Sequence, residues 1–177
     1  GAMVSMSTTV DIETKMQGGF LGALARKVLS SESFFQNTFT AARGPGEVTF
    51  APSLMGDIQR TEMNGTDLML TSGCYLASSP GVQLQTKWGG MKSFFSKEGL
   101  FLLRAQGTGT LLFTCHGALV EIDVPAAGYV VDTGHVVAFE PTLDYEVRKV
   151  GGIKSMFLSG EGLVCHFSGR GKLWMQT

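Results

Sequence analysis

The chain has 177 residues, long enough to bury one core without disulfides or metal. Charged residues make up 16% of it, apolar residues 44%, and 24 positions are glycine, whereas an average soluble protein is roughly 25% charged. Fourteen basic residues against fifteen acidic ones leave a net charge of −1, so no global field attracts a phosphate backbone, and nucleic acid is not expected as a partner.

In chain order, Gly1-Ala2-Met3 reads as a protease-cleavage scar and is set aside, leaving residues 4–177 as a single domain. Between Phe20 and Leu29 the residues Phe20, Leu21, Leu24 and Val28 recur at helical spacing, with Arg26 and Lys27 toward the end. This pattern predicts a short amphipathic helix near 20–30 that caps the sheets. No apolar run approaches the ~20 residues of a membrane span, so no transmembrane segment is expected.

Beyond that point the chain repeats itself. Gly44-Pro45-Gly46-Glu47-Val48, Gly107-Thr108-Gly109-Thr110-Leu111 and Gly169-Arg170-Gly171-Lys172-Leu173 share one plan and follow one another at 63 and 62 residues. Gly89 to Leu100 matches Gly151 to Leu163 with one inserted residue, and Thr71-Ser72-Gly73 through Pro80 matches Asp132-Thr133-Gly134 through Pro141. A period of about 60 residues predicts three copies, drawn from these matches at roughly 34–92, 93–155 and 156–177 plus an N-terminal segment. Equivalent β elements are expected to begin at 44–58, 107–122 and 169–177.

Within each copy the signal is β. Phe101–Arg104, Leu111–Thr114, Leu119–Val124, Tyr129–Val131, Val136–Phe139 and Leu143–Val147 are short runs rich in β-branched and aromatic residues, separated by Gly, Pro or Thr-Gly turns. Val120, Ile122 and Val124 alternate with Glu121 and Asp123, the mark of a strand with one wet face. The fold class is therefore all-β, a stack of small sandwich-like units.

Candidate chemistry is sparse. The Gly-x-Gly elements lack both a Gly-Lys-Ser/Thr continuation and a following helix, so they read as turns rather than phosphate loops. Cys115-His116 and Cys165-His166 could together supply four zinc ligands, but neighbours on a strand point to opposite faces, which keeps each pair off one shared site. Three well-separated cysteines, Cys74, Cys115 and Cys165, argue against a disulfide framework and for a reducing compartment. His135 lies near Asp132 and Glu140 but lacks a Gly-x-Ser-x-Gly nucleophile, so it is expected to hydrogen-bond its own loop. Glu98 and Glu161, set before Gly-Leu in two copies, read as turn caps or partners of Lys92 and Lys154. No catalytic, cofactor-binding or metal-binding residue is assigned, and any ligand site is left unknown.

These residues also resemble a known family. Phe34 to Ala41, Gly46 to Pro52 with Gly56-Asp57-Ile58, Gly73 to Ala77, Glu98 to Phe101, Val130 to Phe139, Glu161 to Gly171 and Gln176-Thr177 are similar to the motifs of the domain family named after the yeast altered-inheritance-of-mitochondria protein. The resemblance covers about residues 15–177. It implies a fold like that of the tryptophan RNA-binding attenuation protein, with three β-sandwich repeats about a pseudo-threefold axis. It brings no catalytic residues, and it implies a cytoplasmic protein if the source is bacterial and a mitochondrial one if eukaryotic.

Low charge and abundant apolar strand residues point to a non-catalytic, self-assembling binding or scaffold module, a homo-oligomer in the form of a trimer or a higher closed ring. The alternative is a sensor that binds a small apolar ligand between repeats or subunits. A hydrolase or metal enzyme of another type is the third reading.

Overall fold

The computed structural model describes residues 2–16, 35–86, 102–149 and 163–177. The helix expected at 20–30 lies outside the described residues, as do nearly all of the matched segments 89–100 and 151–163, with Lys92, Glu98, Lys154 and Glu161. Among the described residues the chain is all-β, with fifteen strands and two single-turn 3₁₀ segments, and no helix there is long and apolar enough to cross a membrane. The strands fall into two compact units, Gly1–Ala51 and Pro52–Thr177.

In the first unit β1 (Met3–Met6) pairs antiparallel with β4 (Val48–Phe50), and β2 (Asp11–Met16) pairs antiparallel with β3 (Phe35–Thr40). Phe39 and Phe50 meet edge to face at 5.3 Å. Met3, set aside above as part of a scar, opens β1 opposite Phe50, and the Ala2 carbonyl accepts a bond from Ala51 at 2.8 Å. Arg43 ties the end of this hairpin to the turn before β2, donating to the Thr8 carbonyl at 2.5 Å and pairing with Asp11 at 2.7 Å. Val10, 3% exposed, is the buried apolar side chain of this unit among the described residues.

The second unit is a two-layer β structure. Its larger sheet runs β10 (Leu119–Asp123), β15 (Lys172–Gln176), β12 (Val136–Phe139), β6 (Leu68–Thr71), β9 (Leu102–Thr114) and β5 (Ile58–Asn64). β7 (Tyr75–Ser78) and β8 (Val82–Thr86) also pair with β9. The smaller sheet is β11 (Tyr129–Asp132), β14 (Leu163–Gly169) and β13 (Leu143–Lys149). β6 and β12 are buried at every position, as expected of uninterrupted apolar runs in the middle of a sheet. Between the layers pack Phe139, Phe167, Val131, Val136, Leu173 and Cys165. The Phe139 ring lies 5.2 Å from Phe167 and 4.9 Å from Tyr145, both tilted toward edge contacts that add to what burial alone gives. In β10 Ile122 is half-buried and the following Val124 is buried, but Val120, expected on the same inner face, is 37% exposed near the start of this edge strand.

The element Gly107-Thr108-Gly109 differs from the expected turn. The chain does not reverse there, and β9 runs on through it for 13 residues, pairing with β6 and β8 before the glycines and with β5 and β7 after them. Gly107 and Gly109 have φ of +109° and +137°, values that only glycine adopts without strain. A Cβ on Gly109 would run into Ser79 Oγ. That close approach closes a clasp: Ser79 N–H donates to the Thr110 carbonyl at 2.9 Å, Thr110 N–H donates to Ser79 Oγ at 3.0 Å, and Val82 N–H donates to the Ser79 carbonyl at 3.1 Å.

The same three bonds recur at two other places. Ser7 N–H donates to the Glu47 carbonyl at 2.9 Å, Glu47 N–H to Ser7 Oγ at 2.9 Å and Val10 N–H to the Ser7 carbonyl at 3.0 Å. Glu140 N–H donates to the Lys172 carbonyl at 3.0 Å, Lys172 N–H to Glu140 Oε2 at 2.9 Å and Leu143 N–H to the Glu140 carbonyl at 3.1 Å. The strands leading into the three clasps, β1, β7 and β12, each carry a register shift after their first residue.

Candidate functional site

The densest polar node among the sequence-selected residues lies at the end of β15. The Gln176 side chain bridges two segments, its Oε1 accepting from His116 N–H at 2.9 Å and its Nε2 donating to the Gly134 carbonyl at 2.7 Å. The Gln176 carbonyl lies 2.6 Å from His135 Nδ1. A carbonyl only accepts, so Nδ1 of this exposed ring carries a proton and donates it to the Gln176 carbonyl. Beside it Thr177 N–H donates to the Ala118 carbonyl at 3.1 Å, and Thr177 Oγ1 accepts from Ala118 N–H at 3.3 Å. Asp57 fastens the other side of the 115–119 turn, its Oδ2 accepting from Leu119 N–H at 2.9 Å and its carbonyl from Cys115 N–H at 3.2 Å.

His135 was expected to bond within its own loop and instead reaches the main chain 41 residues away. The carboxylates near it in sequence are engaged elsewhere: Asp132 Oδ1 caps the 3₁₀ turn through Gly134 N–H at 2.9 Å, and Glu140 Oε2 belongs to the clasp with Lys172. The node therefore joins strand ends and leaves no acid or base aimed at the imidazole from Asp132 or Glu140.

The two Cys-His pairs sit in different settings. Cys115 is buried just past the end of β9, its thiol donating to the Gly117 carbonyl at 3.4 Å, while His116 is exposed on the turn. Cys165 is fully buried within β14, and His166, half-buried on the opposite face, lies across from Val130 and Glu146 in register. Burial pushes the Cys165 thiol up to about 12, and burial together with the neighbouring Cys115 does the same to Cys74, also to about 12. Burial also raises Cys115, against a bond from the Asp57 backbone that lowers it. The thiolate is the nucleophile and metal ligand, so these three free cysteines sit as protonated apolar side chains. Among the described residues no three of His, Cys, Asp and Glu come together as metal ligands.

Other polar groups that the sequence reading passed over do structural work. Thr71 and Thr133, both buried, donate to the Val136 carbonyl at 2.7 Å and the Leu163 carbonyl at 3.3 Å. Arg104 holds Asp67 through two nitrogens, and Glu121 receives both Lys172 Nζ and, at 2.8 Å, the indole N–H of Trp174. The duplicated Thr71-Ser72-Gly73 and Asp132-Thr133-Gly134 segments were the one sequence signal near these threonines.

Comparison with known proteins places the chain. A model of the mitochondrial biogenesis AIM24 family matches residues 1–177. An uncharacterized protein of Streptococcus pyogenes serotype M6 is 30% identical over 185 residues, covering 100% of this chain and 74% of its own length. A crystal structure of a Streptococcus pyogenes protein, determined by a structural genomics consortium, superposes with a TM-score of 0.82 at 30% identity, over 100% of this chain and 80% of that one. The chain belongs to the mitochondrial biogenesis AIM24 family.

Proposed function

We propose that this chain is a non-catalytic interaction module that assembles with copies of itself into a trimer or a higher closed ring. The observation that carries this reading is the exposure of apolar residues on strands that carry little charge, none in β1 and Asp132 alone in β11. Val4 in β1 is 63% exposed and Val130 in β11 is 52% exposed, with Met3, Met6 and Tyr129 beside them. Monomers rarely leave such strands open to water, because an uncharged edge invites another strand. The titratable groups add support for a non-catalytic role, since the thiols are buried and Asp57, Asp132 and Glu140 cap backbone.

The same reading takes the chain as three copies of one unit, the arrangement that the likeness to the tryptophan RNA-binding attenuation protein implies. The three clasps and three register shifts support it, since each clasp holds the residue that follows a Gly-x-Gly element, Glu47, Thr110 or Lys172. We further infer a reducing compartment from three free thiols, which means cytoplasm for a bacterial chain and the mitochondrion for a eukaryotic one. Nucleic acid is not a partner in this reading, given the net charge of −1.

Size exclusion with light scattering tests the proposal. The expected mass is a closed multiple of 18.9 kDa, and the single-chain mass at low micromolar concentration overturns it. Native mass spectrometry of the same sample reads out co-purified molecules, and a bound small apolar ligand in stoichiometric amount would move the reading to a ligand sensor.

A further inference from the structure

β6 and β11 occupy matching places in the second unit. Each precedes a 3₁₀ turn, Ser72–Cys74 or Thr133–His135, and then a strand with a register shift after its first residue. Each is paired along one edge in the same sense, β6 with β9 from Leu68 opposite Ala105 to Thr71 opposite Leu102, and β11 with β14 from Tyr129 opposite Phe167 to Asp132 opposite Val164. Their second edges differ. That of β6 is taken by β12, with Ala138 opposite Leu70 and Phe139 opposite Met69. That of β11 carries no strand among the described residues. It is lightly guarded, because Tyr129-Val130-Val131-Asp132 contains no Lys, no Pro and no bulge, the devices that keep an edge from accepting another strand, and its one charge, Asp132, sits at the strand end and caps Gly134 N–H.

The strand that occupies the matching edge of β6 has a recognisable character. β12 is uncharged, shifts register after Val136 and leads into the clasp at Glu140. β1 has the same three properties: it is Met-Val-Ser-Met, shifts register after Met3 and leads into the clasp at Ser7. Among the described residues β1 is paired along one edge only, with β4. Each chain thus offers one acceptor edge and one donor edge.

We propose that β1 of a second copy of this chain adds antiparallel to the free edge of β11, with Met6 opposite Val130 and Ser5 opposite Val131. The inference rests on the self-assembly reading and names its contact. Two apolar side chains, half or more exposed in Val130 and 38% exposed in Met6, would then cover each other as Phe139 and Met69 do within the chain. Because acceptor and donor differ, the contact is heterologous, and repetition around a closed ring satisfies both edges of every subunit. Size argues the same way. A four-residue strand pair falls short of the ~1,000 Å² of a stable interface, and ring closure gives each subunit two such contacts.

The test uses the whole chain carrying Val130→Cys together with Met6→Cys, oxidised with glutathione disulfide and read on non-reducing gels and by mass spectrometry. Facing positions on paired strands are close enough for a disulfide, and the three native thiols are buried. Links between chains at these two positions are expected. A link within one chain, or assembled protein with no link, overturns the proposal. Charge gives a second readout that spares the fold, since both positions are exposed: Val130→Lys should bring the mass to 18.9 kDa, and adding Met6→Glu should restore assembly. An oligomer indifferent to Val130→Lys sinks this contact alone, whereas a monomeric parent chain sinks the self-assembly reading with it.

Discussion

Val10, Val82 and Leu143 stand at the three clasps and all are buried, at 3–4% exposure, yet the strands that lead into those clasps have different surroundings. β12 is buried at all four positions, β7 buries Leu76, and β1 is exposed at all four. The comparison separates two things that usually arrive together. A clasp needs two main-chain bonds, one side-chain acceptor and a glycine that lets the acceptor approach, and it joins segments 31 to 40 residues apart. Burial of the strand needs a second layer, which the sheet β11-β14-β13 provides in the second unit. Strand pairing is thus common to both units, while among the described residues the buried apolar side chains other than Val10 belong to the second.

The largest test of that separation is Phe167→Ala. This side chain is 1% exposed and its ring meets Phe139 and Tyr145, so its removal should cost about 3–5 kcal/mol in denaturant unfolding. Val4→Ala in the first unit should stay within ~0.5 kcal/mol in the monomeric state. Comparable losses at both sites would mean that β1 has a core of its own.

Alkaline titration comes next. All three cysteines belong to the second unit, and burial holds Cys74 and Cys165 near 12 against an ordinary value of 9.0. The folded state disfavours the thiolate, so the stabilising contribution is complete below pH 9 and is lost as pH rises toward 12. By pH 10 each thiol should have cost roughly 1 kcal/mol. Urea midpoints at pH 8 and pH 10, compared with those of Cys165→Ala, read the slope, and a midpoint that does not fall with pH would show that these thiols ionise in place.

How much of this was legible in the sequence follows the range of each interaction. Strand runs such as Val136–Phe139 depend on neighbours a few residues apart, and they appear where expected. The clasps were half visible: the Gly-x-Gly elements mark Glu47, Thr110 and Lys172, but Ser7, Ser79 and Glu140 fill one role with different side chains, so no motif marks the acceptors. The Gln176 node joins His116, Gly134 and His135 across 41 to 60 residues, beyond the reach of periodicity. Gly107-Thr108-Gly109 was misread as a reversal because glycine pairs serve hairpin turns and strand bends alike, and only the partners of β9 decide between them.

Glycine substitutions sharpen the same point at smaller scale. Gly109→Ala faces both a φ of +137° and a collision with Ser79 Oγ, whereas Gly65→Ala faces a φ of +95° with nothing within 4 Å. The first should cost about 2–3 kcal/mol and the second about 1 kcal/mol. Equal losses would mean that the clasp yields to a methyl group.

The smallest effect discriminates between the clasps themselves. Ser79→Ala removes the oxygen that accepts Thr110 N–H in a partly buried setting, and Ser7→Ala removes the one that accepts Glu47 N–H in an exposed setting. In both variants the main-chain bonds remain, so neither clasp should open. What differs is where the freed N–H goes. Near Ser79 water reaches the amide poorly, and an unpaired buried donor costs about 1–2 kcal/mol. Near Ser7 water replaces the hydroxyl, and the loss should be a few tenths of a kcal/mol, close to the limit of measurement. Amide exchange at Thr110 and Glu47 gives the local readout: protection should fall more at Glu47, where solvent takes over the bond, even though global stability falls more for Ser79→Ala. If the two variants lose equal stability, the contrast in burial between the clasps does not set their energetics, and the first unit is held as tightly as the second.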